Sequence, residues 1–379
     1  MRPWTRAPRT CARACWARKR RAMTADEFEV IRNLFAPLAT NAGARALIDD
    51  AAVLHARGDL VVTTDAIVEG VHFLRGDPIE TVASKALRVN LSDLIAKGAK
   101  PSAALLTLLW PNDRPAEEIG LFAGALGREL AHFGVNLMGG DTSTTSGPLT
   151  VSITAFGEPL GPRVPSRADA KAGEDVWLIG GEIGSAWLGL QLRTGAIKLQ
   201  DIQRGRDELA AQMEAEAAAP HMPEYLTLPG EKFDAEAAWL MSLYLAPFVR
   251  PECAPIVARF ASASMDVSDG LFADAQKLAF ASGVALRIEA NEIPFSIPAQ
   301  RWFETSGDFR QLVTGGDDYV VLFTASPEER EALLKAEGGI ALRLSRIGSV
   351  QEGEGVTLVD RQGAPIPVPQ AGYSHKLGL

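Results

Sequence analysis

Residues Pro78–Pro111 read PIETVASKALRVNLSDLIAKGAKPSAALLTLLWP, and this one stretch contains a helix pattern followed directly by a strand pattern. Apolar residues recur every three or four positions through its first half, which places them on one face of a helix that Gly98 can end. We therefore predict a helix over Pro78–Lys97. The short apolar run Ala103–Leu109 predicts a buried strand that ends before the last proline of the stretch.

The segments on either side continue this alternation of helix and strand. Thr24–Leu34 begins with a capping box and keeps helical apolar spacing, and Leu60–Thr64 is rich in residues that favour strands. The later predicted helices are Ala116–Phe133, Ala186–Leu192, Ala210–Ala219, Ala235–Ala246, Leu271–Ser282 and Pro327–Glu337, and the later strands are Val135–Met138, Leu149–Phe156, Asp175–Ile179, Ser264–Val267, Val284–Ile288, Tyr319–Thr324 and Ala341–Val350. We predict an α/β (α+β) fold in which helices pack on sheets.

The chain length and a short repeated sequence indicate two domains. A chain of 379 residues is long for a single domain. The sequence Gly139-Gly140-Asp141 recurs as Gly315-Gly316-Asp317, each time at the edge of a predicted strand. We expect an N-terminal domain over residues 23–160 and a C-terminal domain over residues 161–379.

Residues 1–22 form a basic head that we leave out of the fold. They hold eight basic residues and no acidic one, and they lack the apolar run of a signal peptide. We interpret them either as a misassigned start, with Met23 as the first residue, or as a disordered tail for targeting or for binding anions. Beyond the head, the 30 remaining basic residues face 47 acidic ones, which disfavours nucleic acid as a partner.

Composition narrows the class of protein further. The longest apolar run, Ala103–Trp110, is far shorter than the roughly 20 residues that cross a membrane, so we expect no membrane contact. Three cysteines cannot build a disulfide framework, which favours the cytoplasm. The sequence has no H-E-x-x-H, G-x-S-x-G or C-x-x-C motif, which argues against a zinc protease, a serine hydrolase and a dithiol enzyme.

Aspartates stand beside small residues at the ends of predicted elements. They are Asp49, Asp50, Asp65, Asp93, Asp141, Asp266, Asp269, Asp317 and Asp318. Glycines allow backbone N–H groups to approach a phosphate closely, and carboxylates supply the oxygens that Mg²⁺ prefers. Together they predict a magnesium–nucleotide site that is not a Walker A loop, although each fragment alone is also an ordinary turn signature.

Six segments, taken in order, resemble the thiamine-monophosphate kinase family of the aminoimidazole-ribonucleotide-synthetase-like superfamily. They are TTDAIVEGVHF (63–73), KALRVNLSDLIAKGAKP (85–101), LMGGDTS (137–143), SRADAKAGEDVWL (166–178), DVSDGL (266–271) and TGGDDYVVLF (314–323). The resemblance implies two α/β lobes, an N-terminal lobe that pairs with its twin in a dimer sheet or barrel, and ATP bound with several magnesium ions. The implied reaction phosphorylates thiamine monophosphate to thiamine diphosphate.

The resemblance also implies roles for individual residues. The magnesium ligands would be Asp50, Thr63, Thr64, Asp65, Asp93, Asp141, Asp266 and Asp269. The ATP contacts would be Gly140, Asp141, Arg167 and Ser268, and the substrate contacts would be His72, Asp317 and Gln370. No general base is expected, because the attacking oxygen belongs to a phosphate that is already ionised.

Three positions depart from the family pattern. Ile48 replaces a usual glycine, Asp317 replaces a usual glutamate, and Gln370 stands where the family places an aromatic residue that stacks on the substrate. Two alternatives stay open at this point. The chain could be another ATP-using member of the superfamily, or a catalytically inactive nucleotide-binding dimer.

Overall fold

The computed structural model describes residues 27–49, 51–56, 58–203, 235–306, 308–337, 342–369 and 372–373. Within them, a four-stranded and a six-stranded sheet flank a central helix. The basic head, Asp50, Gln370 and the helix predicted over Ala210–Ala219 lie outside the described residues.

The first sheet is built from one segment of the chain. Its strands are β1 (Val61–Val68), β2 (Ala99–Pro111), β3 (Asn136–Thr145) and β4 (Thr150–Pro159), in the order β1-β4-β2-β3. The β1–β4 and β4–β2 pairs are antiparallel, and the β2–β3 pair is parallel. The helices before and within it are α1 (Glu27–Val30), α2 (Ile79–Ala96) and α3 (Glu117–Phe133).

The second sheet follows in the rest of the chain. Its order is β10-β7-β9-β5-β8-β6, from β5 (Asp175–Ile179), β6 (Ser264–Asp266), β7 (Ala285–Glu289), β8 (Val321–Ala325), β9 (Leu344–Gln351) and β10 (Gly355–Val359). The helices here are α4 (Ser185–Thr194), α5 (Leu199–Gln203), α6 (Ala235–Leu245), α7 (Cys253–Phe260), α8 (Leu271–Ser282), α9 (Ile297–Ser306), α10 (Arg310–Thr314) and α11 (Arg330–Glu337).

Helix α2 is buried on nearly all sides, because it packs against both sheets. Of its 18 residues 16 are buried, and the two exceptions are Glu80 and Asp93. The buried polar side chains of this helix therefore do not face solvent, and each needs a partner inside the protein. None of the described helices is long and apolar enough to cross a membrane.

Several elements differ from the prediction. The predicted helix Thr24–Leu34 is described only from Glu27, as a short α-helix that continues in a π-turn over Ile31–Phe35. The predicted strand Tyr319–Thr324 begins at Val321, because Tyr319 has a left-handed φ of 52° that a strand does not accommodate. Strand β2 is longer than expected, because pairing with β4 extends to Ala99.

The two repeated Gly-Gly-Asp segments have different backbone structures. The first lies inside β3, which continues to Thr145, and the second lies in a loop before β8. Gly140 fits inside the sheet only because it lacks a side chain, since a Cβ there would lie 1.8 Å from the carbonyl oxygen of Leu106. The expectation that both segments lie at the edge of a strand is therefore wrong for the first.

Candidate active site

The acidic residues predicted on β1 and α2 meet directly. Thr63 Oγ1 donates a hydrogen bond to Asp93 Oδ2 at 2.5 Å. The backbone N–H of Asp65 donates to Asn90 Oδ1 at 2.8 Å. Because Asn90 and Asp93 lie three apart on a helix, they project side by side toward the strand. Thr64, by contrast, donates across the sheet to the carbonyl oxygen of Ile153 at 3.2 Å.

The same turn of this helix also contacts the second sheet. Ser92 Oγ donates to Asp266 Oδ2 at 2.8 Å, although the two residues are 174 positions apart in the chain. Asp266 ends β6 and is buried. Carboxylates from both halves of the chain therefore lie around one end of α2.

Mutual repulsion marks this group of carboxylates, which we name the acidic cluster (Asp65, Asp93, Asp266 and Asp269). Partial burial and then the charges of Asp93 and Asp269 raise the pKa of Asp65 to about 6. Burial and then the charge of Asp93 raise the pKa of Asp266 well above its usual value. A divalent cation would relieve this repulsion, so the cluster fits one by its charge.

The Ser268–Asp269 loop is shaped by a buried carboxylate that the sequence did not single out. Asp274 Oδ2 accepts from the backbone N–H groups of Ser268 and Asp269, both at 2.9 Å. Lys277 bonds to Asp274 Oδ1 at 2.7 Å and also to Asp269. The spacing of Asp274 and Lys277, three apart just after the Ser-Asp-Gly turn, is the signal that could have revealed them.

The second Gly-Gly-Asp loop packs closely on this turn. The N–H of Asp317 donates to the carbonyl oxygen of Ser268 at 2.9 Å. A Cβ at Gly316 would lie 2.5 Å from that same oxygen, so only glycine allows the approach. Asp317 itself has a left-handed φ of 71°. This backbone conformation is energetically unfavourable for a residue other than glycine, and such conformations are common in active sites.

His72 and Asp317, the two predicted substrate residues that the structure describes, lie near each other. The Nζ of Lys85 bonds to the carbonyl oxygen of His72 at 2.8 Å and to Asp317 Oδ2 at 2.9 Å. His72 Nδ1 accepts from the N–H of Val68 at 3.0 Å, so the neutral ring carries its proton on Nε2. His72 can therefore donate a hydrogen bond to an anion.

Gly140 and Asp141, two of the predicted ATP contacts, lie on β3, away from the acidic cluster. Asp141 on β3 is exposed and aligns with Thr107, Ser152 and Ala66 across the sheet. Three strand spacings separate it from β1, roughly 14 Å along the sheet. Within one copy of the chain, Gly140 and Asp141 therefore do not join the acidic cluster.

Arg167, another predicted ATP contact, lies near the end of α2. Burial and then the charge of Arg167 lower the pKa of Lys97 to about 8, against the opposing effect of Asp266 and Asp93. Lys97, the residue that follows α2, donates to the carbonyl oxygen of Ser264. Arg167 is therefore close enough to the end of α2 for its charge to act on Lys97.

No three carboxylate, histidine or cysteine groups among the described residues are close enough to form a ready-made metal centre. The acidic cluster is therefore a concentration of charge rather than a closed cage. Asp50, a predicted ligand, lies outside the described residues, as does Gln370. The departure at Ile48 is accommodated, because its φ of −107° is open to any residue.

The fold and the site define a class of protein. Residues 48–158 match the N-terminal domain of AIR synthase related proteins, and residues 245–361 match the C-terminal domain. The chain is also 36% identical over 357 residues to the thiamine-monophosphate kinase of Caulobacter vibrioides, which covers 92% of this chain and 90% of that one. The chain belongs to the thiamine-monophosphate kinase family.

Solved structures agree with this membership. The crystal structure of thiamine-monophosphate kinase from Stenotrophomonas maltophilia K279a superposes with a TM-score of 0.66 at 31% identity, covering 82% of this chain and 89% of that one. The structure of AaThiL complexed with AMPPCP and TMP superposes with a TM-score of 0.67 at 29% identity, covering 92% and 97%. The two-lobed fold expected from the sequence is confirmed.

Proposed function

We propose that this protein transfers the γ-phosphoryl group of ATP to thiamine monophosphate and releases ADP and thiamine diphosphate. The main observation behind the proposal is that helix α2 carries residues of both parts of the site. Near one end of the helix Asp93 belongs to the acidic cluster, and eight residues away Lys85 joins His72 to Asp317. Metal-binding and acceptor-binding groups are thereby held about 12 Å apart along one rigid helix. Family membership and the AaThiL complex support the same reaction.

The site fits magnesium, which we propose as its metal. The acidic cluster would hold the ions, with Asp50, Thr63, Thr64 and Asp141 as the further ligands that the family pattern implies. When bound, magnesium neutralises the charge of the phosphates and brings two anions together. The protein's part is to orient the carboxylates: Thr63 fixes Asp93, and Ser92 fixes Asp266.

The residues assigned to ATP are Gly140, Asp141, Arg167 and Ser268. Asp274 holds the N–H groups of Ser268 and Asp269, so it shapes the loop that carries the ATP residue Ser268 and the proposed magnesium ligand Asp269. For the acceptor, His72 would donate from Nε2 to the phosphate. The attacking phosphate oxygen is already ionised, so no side chain needs to remove a proton.

We further propose that the protein is a cytoplasmic homodimer that associates through its first sheet. Strands β1 and β3 are the two edges of that sheet, and unpaired edges invite pairing. Val62 on β1 is 54% exposed, so a second copy packed there would cover apolar surface. A second copy on these edges would also explain why Asp141 stands apart from the acidic cluster within one chain. Sedimentation analysis should give twice the chain mass.

The reaction is tested by offering two acceptors side by side. With ATP and magnesium, thiamine monophosphate should yield thiamine diphosphate and ADP in equal amounts by chromatography. Free thiamine lacks both the nucleophile and the group that the site binds, so its efficiency should be lower on the order of 10⁴-fold. Equal use of both acceptors would refute the assignment. Binding of ATP and magnesium without product would favour the inactive nucleotide-binding dimer.

A further inference from the structure

Lys85 is a buried cation whose hydrogen-bonding capacity is fully used. Its side chain is 1% exposed, yet it lies between two residues of the acceptor site. Its Nζ donates to the carbonyl oxygen of His72 at 2.8 Å and to Asp317 Oδ2 at 2.9 Å. The third direction faces the ring of Tyr244, whose centroid is 4.3 Å away. Because an ammonium has three N–H groups, none remains for a substrate.

The partners of Lys85 come from both halves of the chain. His72 follows β1 in the first half, whereas Tyr244 and Asp317 belong to the second. Tyr244 also donates through its hydroxyl to Asp77 Oδ2 at 3.2 Å, and Arg193 Nε donates to Asp77 Oδ1 at 3.0 Å. The loop that carries His72 is thus fixed to the second half at Lys85 and again at Asp77.

We propose that Lys85 is a positioning residue for the acceptor phosphate, an inference that rests on the proposed function. It holds the backbone of His72 and the carboxylate of Asp317 in one arrangement and offsets the charge of that carboxylate. Without it, Asp317 would present an uncompensated negative charge to a dianionic acceptor. Lys85 acts through these two residues and does not touch the substrate itself.

The proposal predicts an effect confined to one substrate. Lys85→Met keeps the length of the side chain and removes its charge and donors. The KM for thiamine monophosphate should rise by about 10- to 100-fold, the usual cost of removing a group that orients a binding residue. The KM for ATP should change less than about twofold, and kcat should fall less than the KM rises. A residue with a purely structural role would lower the unfolding temperature and the active fraction without this split.

The experiment compares four full-length proteins: the wild type, Lys85→Met, Lys85→Gln and Lys335→Met. Lys85→Gln keeps a donor for the His72 carbonyl, so it serves if the methionine variant does not fold. Lys335 is 73% exposed on α11 and pairs with Glu331, so Lys335→Met is the control for loss of a lysine charge. Thermal unfolding is followed by circular dichroism, and steady-state kinetics are measured with each substrate varied in turn.

A double variant shows whether Lys85 acts through Asp317. Asp317→Asn should raise the KM by itself, and Lys85→Met should raise the KM by a smaller factor in the Asp317→Asn background than in the wild type, the remaining effect being the one through His72. An equal factor in both backgrounds would show that Lys85 does not act through Asp317 and would overturn the proposal. An unchanged KM for thiamine monophosphate in a folded Lys85 variant overturns the proposal, as does failure of both variants to fold. Failure of the proposed function appears differently, as absence of thiamine diphosphate with the wild type.

Discussion

At the scale of single residues, Asp93 shows how function and stability oppose each other. It is one of two residues of α2 that are not buried, and its charge raises the pKa values of Asp65 and Asp266. This repulsion costs stability as long as no cation is bound, which fits the proposed role of Asp93 as a magnesium ligand.

Asp93→Asn should lower turnover by more than about 100-fold, because an amide cannot replace the charge that we propose to bind magnesium. The unfolding temperature without magnesium should not fall, since one repulsive charge is gone and Thr63 still finds an acceptor. The pKa of Asp65 should drop below its value of about 6, which a carboxyl NMR titration measures. Asp308→Asn, whose carboxylate pairs with Arg310 outside the cluster, is the control. Turnover within tenfold of the wild type would contradict the role of Asp93.

Backbone conformation gives a second prediction at this scale. Ala46 has a left-handed φ of 54°, between Arg45 at 50° and Leu47 at 55°. Glycine adopts this conformation without steric cost, so Ala46→Gly should stabilise the protein by about 1 kcal/mol. The same change at Ala131, an exposed position inside α3, should destabilise it by about 0.5–1 kcal/mol. Denaturant unfolding of both variants measures the change in the free energy of unfolding. A change of the same sign in both variants would argue against the left-handed turn.

At the scale of elements, α2 and α3 are joined by a buried ion pair. Arg88 Nε and Nη2 donate to the two carboxylate oxygens of Glu129 at 2.7 and 2.9 Å. The remaining nitrogen, Nη1, donates to the carbonyl oxygen of Pro247 at 3.1 Å, just after α6. One guanidinium therefore fixes two helices and a segment of the second half.

Removing one member of this pair should be costly. Glu129→Ala leaves the Arg88 charge buried and unneutralised, so the free energy of unfolding should fall by about 3–5 kcal/mol. Glu331→Ala, which breaks a surface pair with Lys335, should leave the unfolding midpoint unchanged. Chemical denaturation checks both. Similar small effects would mean that solvent reaches the Arg88–Glu129 pair.

At the scale of the whole molecule, tolerance of acid should depend on Asp175. Its carboxylate bonds to Arg330 on α11 and to Arg346 on β9, so it ties β5 to two other elements. Burial raises its pKa, but the hydrogen bonds from the two arginines outweigh burial and hold the pKa below the usual 3.8. The resulting stability is present above pH 3.8 and is lost as the pH falls through the lower folded value.

Asp175→Asn should therefore cost about 1–3 kcal/mol of stability at pH 7. The difference from the wild type should shrink below about pH 4, where the wild-type carboxylate also takes up a proton. Urea unfolding at several pH values measures it. A difference that stays constant down to about pH 3 would mean that the aspartate charge contributes nothing.

Much of the fold follows from local pattern, and much of the site does not. The period of apolar residues predicts α2 to within one residue at each end, because burial dictates that spacing. The bonds from Lys85 to Asp317 and from Ser92 to Asp266 join residues 232 and 174 positions apart, so no local pattern reveals them. Lys85 and Ser92 lie among apolar residues on the side of α2 that the second sheet covers, so no local pattern distinguishes them from solvated residues.

The placement of α2 has a consequence for how the protein is made. The first sheet is complete at Pro159, but β8, which covers the other side of α2, ends at Ala325. At a synthesis rate of about 5–20 residues per second, roughly 10–30 s pass between these points. During that interval the nascent chain presents the apolar side of its central helix to the surroundings of the ribosome. Chaperone occupancy on translating ribosomes should accordingly rise once β4 has emerged and decline after β8 has followed.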